Sequence, residues 1–93
     1  MNVAWSQRAA NDLRRYCRFI ARDRPKAAVD VNTRILSAVD RLAEYPLSAA
    51  KTTARETRGL VVPRTGAVII YRVADETLRI VTIRHQMRRP VDE

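Results

Sequence analysis

The chain predicts an α+β fold in the order β-α-α-β-β-β, an antiparallel helical hairpin packed on one face of a small, mainly antiparallel curved sheet. Three observations carry that prediction. Apolar residues recur at three- and four-residue steps through the first half, β-branched residues gather in short runs through the second, and turn residues mark each change of period.

Residues 2–5, "NVAW", read as the first strand, and Ser6 supplies an N-cap hydroxyl for the helix that follows. Ala9, Leu13, Tyr16, Cys17 and Ile20 form its apolar stripe, with Arg8, Asp12, Arg15, Arg18 and Arg22 mostly on other faces, and the helix ends near Asp23. Pro25 suits the first turn of a second helix, where a missing N–H costs nothing. Its stripe is Ala28, Val31, Ile35, Ala38, Val39 and Leu42, and "EYP" at 44–46 stops it ahead of Pro46. So short a link makes the two helices an antiparallel hairpin. Residues 46–56 show neither period and read as a loop. "TRGLVV" and "AVIIYRV" then form strands around the turn "PRTG", and "ADE" leads into a last strand, "TLRIVTI". On the middle strand Val68, Ile70 and Arg72 share one face, and Ala67, Ile69, Tyr71 and Val73 the other. Both faces are largely apolar, so a partner, loop or tail is expected over the face the helices leave open.

Ninety-three residues predict one domain, 1–93. With 46% hydrophobic and 30% charged residues and only two glycines, a folded chain is expected rather than a disordered one. The longest apolar run, Ala67 to Tyr71, falls far short of the roughly 20 residues a membrane span needs. The N-terminus turns polar too early for a secretory signal, so a cytoplasmic protein with no membrane contact is expected. Cys17 has no second cysteine to pair with and reads as a small helix residue of the core; Trp5 reads as a core anchor. One histidine and one cysteine meet no metal-ligand spacing, and two isolated glycines make no phosphate-cradling loop, so no metal and no cofactor is expected.

The net charge of +8, almost all from arginine, points to acidic partners. Arg58, Arg64, Arg72, Arg84, His85, Arg88 and Arg89 all fall in the strand region or at its exits. Such a set can bind RNA phosphates with His85 as proton shuttle, dock protein carboxylates, or be ordinary solvated side chains.

Five segments together carry a family resemblance: "WSxxAxxDL" from Trp5, "IxxAxxRLAEYP" from Ile35, "TRGLVVPR" from Thr57, "VIIYRV" from Val68 and "IRHQMRRP" from Ile83. In this order they resemble the RelE/ParE toxin superfamily over essentially the whole chain, and its ParE branch most. The resemblance implies a toxin of a type II toxin-antitoxin system, inhibiting DNA gyrase by direct binding without being an enzyme. It also implies a cognate ParD-like antitoxin in a hetero-oligomer, with DNA reached only through that antitoxin. The antitoxin segment is expected to be acidic and partly helical, and to lie on Leu13, Tyr16, Ile20, Ile35, Val39 and Arg72. Target contacts are expected at Arg64, Arg84, His85, Arg88 and Arg89. The alternative is a RelE-like mRNA endonuclease, with His85, Arg84, Arg58 and Arg64 as its catalytic set. The ribonuclease branch, however, carries basic side chains where this chain has Gly59, Val61 and Val68, and often a tail tyrosine that "RHQMRRPVDE" lacks. A third reading is an inactive toxin fold that only binds antitoxin.

Overall fold

In the computed structural model, which describes residues 1–54 and 56–86, the chain runs β1 (Asn2–Trp5), α1 (Gln7–Ala21), α2 (Pro25–Glu44), β2 (Ala50–Lys51), β3 (Arg58–Val62), β4 (Ala67–Ala74) and β5 (Thr77–His85). The hairpin of α1 and α2 and the β3–β4–β5 meander lie where the periodicity puts them. Arg88 and Arg89 lie outside the described residues.

The sheet order is β1-β5-β4-β3-β2, with β1 parallel to β5 and the other pairs antiparallel. The helical hairpin is the crossover that lets β1 and β5 run the same way. One element corrects the sequence reading: within the loop expected over 46–56, Ala50 and Lys51 pair with Gly59 and Arg58. Two residues are too few to show a period. The bridge is held from outside, by the Arg58 guanidinium donating to the carbonyl of Ala49 at 2.6 Å.

The core forms where the α2 stripe meets one sheet face: Ile35, Val39 and Leu42 against Ile69, Tyr71, Leu78 and Ile80, all buried. Burying an aliphatic side chain of this size stabilises by about 1.5–3 kcal/mol. Tyr71 is wholly enclosed, and its hydroxyl donates to the Pro46 carbonyl at 2.8 Å, fastening the end of α2 to the central strand. Burial pushes its phenol above the ordinary 10.0, opposed only in part by a backbone hydrogen bond with Ala49 and by the nearby Arg58 charge. Trp5 packs against the core from its margin.

Two turns set the strand registers. In "PRTG" the Thr65 hydroxyl donates to the Val62 carbonyl and accepts from the Ala67 N–H, at 2.8 and 2.9 Å. Between β4 and β5, Asp75 and Glu76 both take positive φ, 53° and 58°, the backbone of a two-residue type I′ turn. Further along, β5 carries one extra residue. Ile70 pairs with Thr82 but Tyr71 with Ile80, leaving Val81 as the bulge.

Candidate functional site

β1 covers β5 only from Thr77 to Ile80. Past that point the outer edge of β5 faces α1, and side chains of α1 take the place a neighbouring strand would fill. Ser6 begins the substitution: its N–H donates to Ile80 O at 3.0 Å and its hydroxyl to Val81 O at 2.8 Å. The same hydroxyl caps α1 by accepting from the Ala9 N–H at 2.9 Å. Asp12 continues it, one carboxylate oxygen accepting from the Thr82 hydroxyl at 2.5 Å and from the Ile83 N–H at 3.2 Å. Its other oxygen accepts from Arg15 at 2.7 Å.

This corrects the placement of Asp12 with the outward charges of α1, for it is buried at the seam. Its position between Ala9 and Tyr16, on the helix's apolar stripe, was the available signal, because a carboxylate there folds only if something inside binds it.

Tyr16, one turn on, completes the seam. Its hydroxyl donates to the Thr65 carbonyl, and its ring meets His85 edge-on, with centroids 5.8 Å apart and planes at 67°. Burial raises the Tyr16 phenol, keeping it a donor. Gly66 lies beneath this contact with φ 73°, where a Cβ would stand 3.0 Å from the Tyr16 hydroxyl. Glycine is thus required twice, for backbone and for space. Beside the seam lies an open cleft of about 530 Å³, with Arg8, Arg15 and Phe19 on its α1 wall and Thr82 to His85 on its β5 wall.

The nuclease candidates are not brought together. Arg58 pairs opposite Tyr71 and His85 opposite Ala67, four residues apart on β4, about 13 Å at strand rise. Arg58 is engaged with the carbonyls of Ala49 and Leu47, and Arg64 sits exposed in the turn with φ 67°. Consecutive strand residues alternate faces, so Arg84 and His85 diverge. His85 shares a row with Val62 and Ala67 on the helix side, whereas Val61, Val68 and Arg84 form a row on the open face. Gly59 opens the next row with Ile70. That row of the open face therefore presents two valines beside one arginine where a nuclease would hold several basic groups. Its far end carries Arg72 directly opposite Arg79, both exposed, a like-charge pair that disfavours the bare sheet and favours an anionic neighbour.

A second concavity, about 560 Å³, lies between α2 and β3. Ala38, Leu42, Leu60 and Val62 give it apolar walls, and Arg34 and Arg41 stand on its α2 side. β2 covers only Arg58 and Gly59, so Leu60–Val62 has no strand on its outer side among the described residues, and Val61 is 46% exposed there.

These placements correct the expected antitoxin contacts. Ile35 and Val39 are core residues, buried between hairpin and sheet, and offer no surface; the apolar stripe that marked them is the stripe that builds the core. Leu13, Tyr16 and Ile20 are half-buried against the same core. Arg72 alone of that set is exposed. Cys17 is half-buried, facing Asn32 of α2, and burial raises its thiol, the opposite of nucleophile activation. Among the described residues no three His, Cys, Asp or Glu side chains gather as a metal site, and no helix is long and apolar enough to cross a membrane.

Comparison with known proteins decides the family. The family model for the ParE toxin of the type II toxin-antitoxin system parDE matches residues 3–90. The chain belongs to the ParE toxin family. It is 41% identical over 86 residues to Toxin RelE2 of Caulobacter vibrioides, covering 92% of this chain and 96% of that one. It is 37% identical over 83 residues to a putative toxin, Y4kP, of Sinorhizobium fredii, covering 89% and 85%. A solved structure titled as the chromosomal ParDE system from P. aeruginosa superposes with TM-score 0.82 at 22% identity, covering 91% of this chain and 95% of that one, a likeness of fold. This ParE-family chain thus carries the expected α+β sandwich, with β2 as an added edge.

Proposed function

We propose that this toxin inhibits DNA gyrase by direct binding, that it is not an enzyme, and that a cognate ParD-like antitoxin neutralises it in the cytoplasm. Family membership gives the direction. The observation that carries the choice of activity is the Val61–Val68–Arg84 row, which has no proton-transfer group and one cation, while His85 lies in a row facing the other way, against Tyr16. Phosphodiester cleavage needs an acid, a base and charge stabilisation converging on one phosphate.

The antitoxin segment is acidic and apolar, and we assign it to the α2/β3 groove. The walls there are apolar, the chain carries net charge +8, and the uncovered edge at Leu60–Val62 can accept backbone hydrogen bonds from an added strand. From that edge the segment reaches the open face and its opposed Arg72 and Arg79. Opposite charge speeds such an encounter, so association slows as salt rises.

The test is a supercoiling assay with purified gyrase. Inhibition at micromolar toxin, relieved by the antitoxin and without cleavage of mRNA on translating ribosomes, is the expected result. No inhibition, together with cleavage of mRNA on translating ribosomes that His85→Ala abolishes, overturns the proposal in favour of the endonuclease. Growth that continues when the chain is expressed alone would identify the inactive fold.

A further inference from the structure

We infer that the cleft between α1 and the outer edge of β5 binds single-stranded nucleic acid, with phosphates on Arg8 and Arg15 and a base stacked on Phe19. The inference is independent of the gyrase reading and of the antitoxin groove, which lies on the other helix.

Arg8 and Arg15 stand seven residues apart on α1, two helical turns or about 10 Å, so both belong to one face. Their side chains are 68% and 71% exposed, while Asp12 between them is 9% exposed. Thr82 and Ile83 draw that carboxylate inward. The same carboxylate pairs with both arginines, Arg15 Nη2 at 2.7 Å and Arg8 Nε at 3.9 Å, so one buried negative charge anchors two cations whose remaining N–H groups stay exposed at the cleft mouth. Phe19 follows Arg15 by one turn and is 67% exposed among the described residues, a large apolar ring beside charge. Tyr16 and His85 supply a second aromatic pair within the same cleft.

Cations that follow a backbone, interleaved with rings that accept a base, are how single strands are held without sequence readout. An acidic peptide would satisfy the arginines but gives Phe19 no flat partner, and a duplex keeps its bases stacked away from the ring. From Arg8 to Phe19 the helix rises about 16 Å, the reach of a few nucleotides.

The test is fluorescence anisotropy of a short fluorescein-labelled oligothymidylate with the full chain, at low salt and along a salt titration. Phe19→Ala is expected to weaken binding about tenfold through lost stacking, and Phe19→Leu, which keeps an apolar side chain, to weaken it nearly as much. Arg8→Ala is expected to weaken binding several-fold and lower the salt slope by about one. Arg41→Ala on α2, the same loss of charge outside the cleft, should change affinity less than about twofold by comparison. Circular dichroism confirms that each variant folds. Three results would overturn the inference: Arg41→Ala acting as strongly as Arg8→Ala, which means bulk charge alone; both Phe19 variants binding like the original; or polyglutamate or the duplex competing as well as the single strand, which means an acidic protein surface or a duplex is the ligand class.

Discussion

The two long seams of this molecule are built on opposite plans. Along α1/β5, side chains from the helix occupy the strand edge: Ser6 takes Val81, Asp12 takes Thr82 and Ile83, and Tyr16 reaches across to Thr65. Along α2/β3 the polar ties gather at the foot, Tyr71 to Pro46 and Arg58 to Ala49, and among the described residues no strand covers the edge from Leu60 to Val62 above an apolar groove. An edge closed by its own chain resists strand pairing, whereas an edge left open beside apolar walls is suited to receive a partner. On the proposed reading, the ties of the α1/β5 seam hold the helix to the sheet, and the open α2/β3 edge receives the antitoxin.

Removing the carboxylate at the closed seam tests that division most severely. Asp12→Ala leaves the Thr82 hydroxyl and the Ile83 N–H unsatisfied in a buried place, and should cost about 3 kcal/mol in urea unfolding. A loss under about 1 kcal/mol, the size of an ordinary surface bond, would mean the seam is not what holds α1 to the sheet. Gly66→Ala comes next, at about 2 kcal/mol, since it combines a left-handed backbone with a 3.0 Å approach to the Tyr16 hydroxyl. Its mark should be a weakened Tyr16–His85 ring contact in the NMR chemical shifts of His85.

Tyr71→Phe probes the foot of the open seam, and should cost about 1 kcal/mol at neutral pH by removing the bond to Pro46. It also carries a pH signature. The folded phenol lies above the ordinary 10.0, so the folded state holds its proton more tightly than the unfolded chain does. Its contribution is therefore complete below pH 10.0 and falls as pH rises from there through the folded value. Tyr71→Phe should flatten that alkaline decline in stability measured by denaturant titration, and an unchanged decline would assign it to other groups.

The smallest stability effect belongs to the open edge. Val61→Lys, at a position 46% exposed, should leave unfolding within about 0.5 kcal/mol of the original. Antitoxin affinity by calorimetry should nevertheless fall about tenfold or more, because a charge then sits at the apolar edge. Unaltered affinity would move the antitoxin to another surface.

Most of the fold was legible because periodicity reports burial. The stripe on α2 and the alternation of Val68, Ile70 and Arg72 against Ala67, Ile69 and Tyr71 are found as read, whereas the buried residues of α1 are Ala9 and Asp12, with Leu13, Tyr16 and Ile20 half-buried beside them. The same signal misled at the site. Ile35 and Val39 were assigned to a partner because they are apolar on a helix, yet a stripe does not say which of its residues face the core and which face outward. The short β2 and the bulge at Val81 escaped because each depends on pairing between distant residues rather than on a local pattern. The separation of Arg84 from His85 was implicit in the two-residue strand repeat, but their adjacency in sequence suggested one site.

Hydrogen exchange of the toxin, alone and with its antitoxin bound, tests the division of the two seams most directly. Amides of Leu60 to Val62 and the α2 face of the groove should gain strong protection on binding, while Ile83, already bonded to Asp12, should be protected in both states. Protection gained along α1/β5 instead, with Leu60 to Val62 unchanged, would contradict the account.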